Sequence, residues 1–169
     1  MKTTMRFLLI IMVMAGAMEL AAQTDSTAPY WKSKLMPKID IQKTDSGLLT
    51  NQTIKKGQNT MLMFFSPTCD HCRHQTADLL IDIDKFKGIQ IIMASYQPME
   101  EIVKFYKEFE LSLYPNITVG RDRQFIWPPF YKMKSLPYLA LYDKSGKLLT
   151  SFEGNRRVEV ILDGFSPKR

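Results

Sequence analysis

The sequence predicts an α/β fold in which helices flank a central mixed sheet. The run at residues 60–65 is apolar after Thr60 and the run at 89–94 is apolar apart from Gln90, which is typical of strands that are buried on both faces. A segment with helical spacing follows each run, and strands that alternate with helices form a parallel sheet. Two further runs, residues 138–142 and 147–152, flank the turn sequence Asp143-Lys144-Ser145-Gly146, which predicts an antiparallel hairpin at the edge of the sheet.

Short elements surround the first buried strand. The turn sequence Asp45-Ser46-Gly47 lies between residues 38 and 49 and predicts two short strands, which would form an N-terminal β extension. A helix is expected from the cysteines to about Phe86, because apolar residues recur on one face and Lys87-Gly88 provides a stop signal.

Three more helical segments are predicted in the second half of the chain. Pro98 suits the first position of a helix, and the apolar residues after it are spaced as on one helical face: Ile102, Phe105, Tyr106 and Phe109. Residues 114–125 are predicted as irregular chain or a short strand. Pro128-Pro129 predicts a brief helical turn to about Met133, and Asn155 is the expected N-cap of the last helix.

The first 22 residues have the pattern of a secretory signal peptide. Lys2 and Arg6 precede the uncharged apolar run of residues 7–17, and small residues stand at Ala21 and Ala22. The run is short for a membrane span, which needs about 20 residues; an uncleaved N-terminal anchor is the alternative interpretation. We therefore predict three segments: a signal peptide at 1–22, a linker at 23–36 and one domain at 37–169.

The two cysteines of the chain stand in the sequence Cys69-Asp70-His71-Cys72, between a strand and a helix. Backbone N–H groups and aligned peptide dipoles at a helix N-terminus stabilise a thiolate, so we expect a partly exposed Cys69 to supply the attacking sulfur. Cys72, one turn further, is expected to be more buried. Outside the cytosol disulfides persist, but a bridge that closes so short a loop stabilises a fold little. The pair therefore predicts a dithiol redox site, in which Cys69 attacks a disulfide and Cys72 resolves the intermediate.

The two residues between the cysteines are expected to tune the thiolate. A protonated His71 stabilises it, whereas the charge of Asp70 opposes it, and each acts at around 1 kcal/mol near a surface. The two effects roughly cancel and leave the helix terminus as the net stabilising influence. This balance favours a reductase or isomerase over a primary oxidase. The alternative is a solvated His71 with no role.

The cysteine motif is one of three motifs that occur in the same order in a known family. Residues 36–39 with the turn at 45–47, residues 64–72, and residues 135–147 resemble the thioredoxin superfamily, most closely its exported TlpA/ResA-like branch. The resemblance extends over about residues 36–165. It implies a thioredoxin fold with an N-terminal β extension, and an exported, periplasmic thiol–disulfide oxidoreductase that uses no cofactor or metal.

The resemblance also implies how a substrate is held. Leu136–Pro137 would be a cis peptide that faces the cysteines, with the Leu136 backbone available to pair with an extended substrate strand. Pro137 is therefore a candidate catalytic residue and Leu136 a candidate substrate-binding residue. Trp127 is a further candidate, because the aromatic cluster before the proline motif would line the substrate groove; burial in the core is the alternative. The cluster comprises Phe125, Trp127, Phe130 and Tyr131.

The chain departs from these relatives at two positions near the cysteines. Thioredoxins carry a buried aspartate six residues before the first cysteine, where this chain has Met63. TlpA/ResA-like proteins often have a glutamate three residues after the second cysteine, where this chain has Gln75. Such carboxylates are thought to relay the proton of the inner thiol, so their absence puts fast exchange in doubt. Asp78 is a candidate substitute or a surface residue.

The charge and the motifs of the chain limit the possible partners. The formal net charge is +6 and the basic residues are scattered, which predicts a solvated surface and no nucleic-acid partner. We expect the protein to be a monomer. Its expected partners are protein thiols and disulfides, with a membrane or periplasmic electron donor or acceptor.

Three other functions compete with the redox interpretation. A zinc site would have to draw on ligands within six residues, whereas such sites take ligands from two separated segments; Cu(I) on the dithiol fits better. The zinc candidates would be Cys69, His71, Cys72 and His74. A peroxiredoxin needs a proline where this chain has Leu62, although Ser66 fits its motif. A binding-only adaptor is the third alternative, favoured by the missing carboxylates and opposed by the intact cysteines and Pro137.

Overall fold

The computed structural model describes residues 28–166. The predicted signal peptide, residues 1–22, and residues 23–27 of the predicted linker lie outside the described residues. Within residues 28–166 no helix has both the length and the apolar character needed to cross a membrane.

A mixed sheet of seven strands forms the centre of the described chain. The strands are β1 Asp40–Lys43, β2 Leu48–Thr50, β3 Asn59–Phe64, β4 Ile89–Ser95, β5 Ile117–Asp122, β6 Tyr138–Tyr142 and β7 Leu148–Glu153. Their order across the sheet is β2-β1-β5-β4-β3-β6-β7. β3 pairs parallel with β4 and antiparallel with β6, so the predicted parallel core and closing hairpin are both confirmed. The β1–β2 hairpin confirms the N-terminal β extension.

Within residues 28–166, five α-helices cover the two faces of this sheet. They are α1 Pro29–Ser33, α2 Asp70–Ile81, α3 Met99–Glu108, α4 Trp127–Tyr131 and α5 Val158–Asp163. Short 3₁₀ helices follow α2 at Ile83–Phe86 and α3 at Leu111–Leu113. The helix that was predicted to reach Phe86 as a single element thus ends at Ile81. The N-cap of α5 is Arg157, so the prediction that Asn155 caps this helix is wrong.

The alternation of side chains along β3 explains why both faces carry a core. Met61 and Met63 point to the face covered by α2, α3 and α5, whereas Leu62 and Phe64 point to the face covered by α1 and α4. Successive strand residues project to opposite sides, and every residue from Met61 to Phe64 is buried. An uninterrupted apolar run is therefore what this central strand requires.

The segment predicted as a linker belongs in part to the domain. Ala28 and Tyr30 are buried, and the ring of Tyr30 lies 5.4 Å from that of Tyr131 in α4. The backbone N–H of Leu148 donates a hydrogen bond of 2.7 Å to the carbonyl of Lys34. A helix as short as α1 is not stable in isolation and depends on such packing. The folded unit therefore begins before residue 37.

Residues 114–125, which were predicted as irregular chain or a short strand, contain the full strand β5. β5 pairs parallel with β4 and antiparallel with β1, and so joins the N-terminal hairpin to the core. Gly120 permits this contact, since a Cβ atom there would lie 2.3 Å from the carbonyl oxygen of Gln42.

Candidate active site

Cys69 and Cys72 occupy the first turn of α2. Cys69 is the N-cap residue, with an extended backbone (φ −83°, ψ 117°), and its carbonyl accepts a 3.0 Å hydrogen bond from Arg73 N–H. Both thiols are free, and Cys69 is partly exposed whereas Cys72 is buried. The predicted difference in exposure is therefore present, and the outer sulfur lies where the N–H groups of the first turn have no partner within the helix.

Burial dominates the environment of Cys72. It raises the pKa of the Cys72 thiol to about 12; a hydrogen bond with the Ser66 backbone acts in the opposite direction, and a hydrogen bond and charge interaction with Cys69 raise it further. The two thiols are therefore within hydrogen-bonding reach. Cys72 remains a neutral thiol at neutral pH, so it can resolve an intermediate only after it loses its proton.

Neither position that carries a carboxylate in the related family can take that proton. Met63 is buried. Gln75 is also buried, and its side chain is fully engaged with the Arg156 backbone: Nε2 donates to the carbonyl at 3.0 Å and Oε1 accepts from the N–H at 2.7 Å. Asp78 is exposed and lies beside Arg157 and the end of α2, away from the cysteines. Gln75 therefore has a positioning role, because it anchors the loop before α5 to α2.

The Leu136–Pro137 peptide is cis, as the resemblance implied. It immediately precedes β6, and the pairing of Phe64 with Tyr138 places Pro137 beside the connection from β3 to α2. The carbonyl of Pro137 accepts a 2.9 Å hydrogen bond from Gly154 N–H. No group within residues 28–166 forms a hydrogen bond with the backbone N–H or C=O of Leu136. Those two groups are available for an extended peptide.

The end of β7 holds the loop in front of this peptide. The carboxylate of Glu153 accepts hydrogen bonds from Lys134 N–H at 3.4 Å and from the Ser135 hydroxyl at 3.3 Å. A carboxylate on a strand end thereby restrains the two residues that lead into Leu136.

Asp70 and His71 are both exposed. Arg73, which the sequence analysis did not single out, lies one turn after Asp70 and forms an ion pair with Glu108 of α3, with a second contact of 3.2 Å. Arg73 also donates to the Pro67 carbonyl at 3.4 Å. Its pKa is raised, first by the hydrogen bond to Glu108 and more weakly by the charge of Asp70. Arg73 therefore ties the loop before Cys69 to α3 and partly offsets Asp70.

Trp127 is fully buried. Its backbone N–H donates to the Asp122 carboxylate at 2.9 Å and its indole N–H to the Lys38 carbonyl at 3.3 Å. A side chain in this position offers no surface to a substrate, so the prediction that Trp127 binds substrate is wrong. Of the aromatic cluster, Phe125 is the exposed member, at 49%.

No family model matches the sequence, and a search of curated proteins finds no match. Solved structures do match. A thiol-disulfide oxidoreductase from Bacteroides fragilis is 17% identical, with a TM-score of 0.62 and 76% of this chain and 97% of that chain covered. StoA from Bacillus subtilis is 15% identical, with a TM-score of 0.59 and coverage of 74% and 93%. A secreted disulfide oxidoreductase from Mycobacterium tuberculosis is 14% identical, with a TM-score of 0.61 and coverage of 75% and 93%.

The chain has a thioredoxin fold. The predicted resemblance is thus confirmed at the level of the fold, and the match covers almost the whole of each solved relative. At these identities the comparison shows the fold alone. The chemistry has to be argued from the residues of the site itself.

One residue of the thioredoxin-fold site escaped the sequence analysis besides Arg73. Tyr96 directly follows β4, is 44% exposed, and lies with its ring 5.3 Å from that of Phe125. A signal for it did exist: β3 and β4 are parallel neighbours, so the residues after both strands meet at one edge of the sheet, where sites in such folds are usually found.

Metal coordination has little support in this thioredoxin fold. Among the described residues, 28–166, there is no group of three or more His, Cys, Asp or Glu side chains arranged to hold a metal ion. His71 and His74 are both exposed. The dithiol alone remains as a ligand pair for a soft ion such as Cu(I).

Proposed function

We propose that this protein is an exported thiol–disulfide oxidoreductase that acts on protein disulfides as a reductase or isomerase. One observation supports the proposal above all. A partly exposed thiol and a buried thiol share the first turn of a helix, beside a cis proline whose preceding residue has a backbone that is unpaired among residues 28–166. An adaptor that only binds needs none of these three features.

The proposed reaction uses the two sulfurs in sequence. The Cys69 thiolate attacks one sulfur of a substrate disulfide, forms a mixed disulfide and expels the other substrate sulfur as a thiolate. Cys72 then loses its proton and attacks the Cys69 sulfur, which releases the second substrate sulfur. Two electrons pass to the substrate, and the protein is left with a Cys69–Cys72 disulfide. A dithiol partner must reduce that disulfide before another turnover.

In this mechanism the remaining residues position the substrate. The N–H and C=O of Leu136 pair with an extended substrate segment, as in strand addition to a sheet edge. Pro137 provides the bend that exposes them, while Asp70 and His71 adjust the thiolate from the surface.

The reductive direction follows from the weak net effect of the residues between the cysteines. A strongly oxidising enzyme needs a strongly stabilised thiolate, whereas here the charge of Asp70 opposes the thiolate and Arg73 is paired with Glu108. Equilibration with glutathione buffers tests this. A potential well below that of the strong oxidant DsbA, about −120 mV, is expected, and a value near or above about −130 mV would contradict the reductive role.

Export is proposed from the pattern of residues 1–22, and one of the solved relatives is described as secreted. Fractionation of cells that make the full chain, with mass measurement of the mature protein, tests it. Cleavage after Ala22 is expected. An intact N-terminus in the membrane fraction would support the anchor, and an intact N-terminus in the cytosol would contradict export.

The catalytic proposal is tested by insulin reduction in the presence of a small dithiol. The wild type is expected to accelerate precipitation of the insulin B chain, and Cys69→Ser to abolish the acceleration. Cys72→Ser is expected to accumulate a mixed disulfide with substrate, because the first step proceeds without the second. Ile81→Ser, at the exposed end of α2, is the matched control and should react like the wild type.

A binding-only adaptor is the second candidate, and Met63 and Gln75 are the observations that favour it. An adaptor would leave insulin intact in the wild type while still binding a partner in the Cys69→Ser variant. A Cu(I) carrier would instead retain one equivalent of copper through Cys69 and Cys72 after dialysis.

A further inference from the structure

We infer that a cleft beside the cis proline binds one large apolar side chain, preferably aromatic, next to the reacting cysteine of the substrate. This inference rests on the proposed function and deepens it by naming the substrate class. The cleft, here called the aromatic cleft, is lined mainly by Phe64, Tyr96, Phe125, Pro128, Met133 and Leu136.

Two exposed aromatic rings form the wall of the aromatic cleft. Tyr96 and Phe125 are 44% and 49% exposed and meet edge to face at 5.3 Å. The ring of Phe64 is also stacked with that of Tyr96, with centroids 6.3 Å apart, and Arg121 donates to the Tyr96 carbonyl at 3.4 Å. These contacts hold the two rings in place. An incoming ring could therefore pack against them edge to face or offset, the two geometries that aromatic pairs prefer.

The backbone of Phe125 supports a functional interpretation of its exposure. Its φ angle is 53°, in the left-handed region that is unfavourable for a bulky residue. The Phe125 ring remains half exposed in spite of this cost, so the domain core gains little from it. Such unfavourable conformations concentrate at ligand-binding sites.

Leu136 connects the aromatic cleft to the site of reaction. Its side chain lines the cleft, while its backbone N–H and C=O are unpaired within residues 28–166. In an antiparallel pair, residues directly opposite each other place their side chains on the same face. A substrate residue paired with Leu136 would therefore lay its side chain along the aromatic cleft.

The position of that residue in the substrate is restricted by reach. A strand advances about 3.3 Å per residue, and Leu136 immediately precedes the proline beside the loop that leads to Cys69. The side chain that enters the aromatic cleft therefore lies within about two residues of the substrate cysteine.

The size of the aromatic cleft matches a single ring. Its volume is about 160 Å³, and an apolar cavity of about 150 Å³ accommodates benzene. The rim contributes Lys134 and Ser135, which are both exposed. The chemistry thus selects a large apolar side chain with room for a polar group only at its outer edge.

A peptide scan tests the inference. Each short peptide carries one cysteine as a mixed disulfide with thionitrobenzoate, and a single Phe or Ser is placed one or two positions before or after that cysteine. Attack by Cys69 on the peptide sulfur releases the coloured thionitrobenzoate thiolate. The wild type is expected to react about tenfold faster, or more, with Phe than with Ser at one of these positions, in line with discrimination by hydrophobic pockets.

Variants of the aromatic cleft report on the same ratio of rates. Tyr96→Ser and Phe125→Asn, the latter chosen because asparagine tolerates positive φ, are each expected to lower the Phe-to-Ser ratio several-fold. The conservative variants Tyr96→Phe and Phe125→Tyr should keep the wild-type ratio. Ile81→Ser removes an exposed apolar side chain far from the site and should also keep it.

The possible results separate the inference from the function beneath it. A wild type that reduces the small disulfide of Ellman's reagent but shows no preference in the scan would overturn the aromatic cleft and leave the proposed function standing. A preference that survives in the folded Tyr96→Ser/Phe125→Asn double variant would do the same. Failure to reduce either Ellman's reagent or insulin would overturn the proposed function and the inference together.

Discussion

At the scale of single residues, the protonated state of Cys72 governs the second half of the proposed reaction. Once Cys69 is in a mixed disulfide its charge is gone, and burial remains as the main cause of the raised Cys72 pKa of about 12. Below that pKa, the thiolate fraction rises about tenfold per pH unit. We predict that release of the substrate thiol from a preformed mixed disulfide accelerates about tenfold per unit between pH 6 and 9, measured by rapid mixing.

The same experiment on Cys72→Ser provides the control, since it should show no intramolecular release at any pH. A rate that levels off below pH 8 would show that another group assists deprotonation of Cys72 and would contradict this prediction.

Gln75 offers a second test at the residue scale, because both ends of its amide are used by the Arg156 backbone. In Gln75→Glu an ionised carboxylate would face the Arg156 carbonyl, so burial should raise the pKa of the new carboxyl. A raised folded-state pKa means that stability is retained below the unfolded-state pKa, about 4.3, and is lost as pH rises through the folded-state value. We expect a loss of about 1–3 kcal/mol at pH 8 and little loss at pH 4.

Denaturant unfolding of Gln75→Glu at both pH values measures this difference. Gln75→Met is the control, since it removes both hydrogen bonds at every pH without adding a group that titrates, so its loss should be the same at pH 4 and pH 8. Equal losses for Gln75→Glu at pH 4 and pH 8 would contradict the assigned role of the amide.

At the scale of elements, the N-terminal hairpin supports the segment that carries the aromatic cleft. β1 contributes Asp40, whose carboxylate accepts from the Arg123 guanidinium at 2.7 Å. This hydrogen bond is the main cause that lowers the pKa of Asp40. Arg123 lies two residues before Phe125, so pairing of β1 with β5 fixes the start of the loop that leads to the exposed ring.

Gly120 is the residue on which that pairing depends. In Gly120→Ala the new Cβ would lie 2.3 Å from the Gln42 carbonyl oxygen, so β1 must shift. We predict a destabilisation of about 1–3 kcal/mol, typical of overpacking, with faster amide exchange in β1 and β2. Thr118→Ala, on the same strand, is the control and should leave exchange in the hairpin unchanged. Unaltered protection in Gly120→Ala would contradict the assigned contact.

The sequence predicted the strands that are buried on both faces, because such strands are apolar along most of their length. The runs that became β3, β4 and β6 are apolar at nearly every position, and the cysteines mark the start of α2. β5 was harder to recognise because Thr118 and Arg121 alternate with buried positions and its partner β1 is distant in sequence. α1 has five residues and depends on tertiary packing such as that of Tyr30 on Tyr131.

The candidate site divides along the same line. The cysteines and the cis proline are local motifs, and the sequence located them correctly. Trp127 is buried and Phe125 is exposed because of the direction that the chain takes after β5, and the sequence does not show that direction. The contacts of Tyr96 and Arg73 likewise join segments that are far apart in sequence, and no local pattern encodes them.

At the scale of the whole molecule, the sheet brings the site together at one edge. The carboxyl ends of the parallel strands β3 and β4 lead to Cys69 and Tyr96, and the antiparallel β6 begins there with Pro137. The face of the sheet that α1 and α4 cover carries a buried cluster that includes Tyr131, Tyr138 and Tyr142. The reactive edge therefore rests on a core that contains ionisable phenols.

That core predicts a loss of stability in alkali. Burial is the main cause that raises the pKa of each of the three phenols above its ordinary value. Because the folded-state pKa values are raised, their stabilising effect is complete below the unfolded-state value, about 10, and is lost as pH rises towards the folded-state values. Each buried phenol then costs about 1.4 kcal/mol per pH unit. We expect the three phenols together to lower the free energy of unfolding by on the order of 4 kcal/mol between pH 9 and 11, measured by denaturant unfolding.

The variant Tyr131→Phe/Tyr142→Phe separates the phenols from other alkaline effects, including that of Cys72. The two hydroxyls lie 2.5 Å apart, so their joint removal leaves no unpaired partner and should cost about 1 kcal/mol at pH 8. Since two titrating groups are gone, the variant should lose less stability than the wild type between pH 9 and 11, and the two curves should converge or cross. Parallel curves would show that these phenols ionise freely in the folded protein, which is incompatible with a closed core behind the reactive edge.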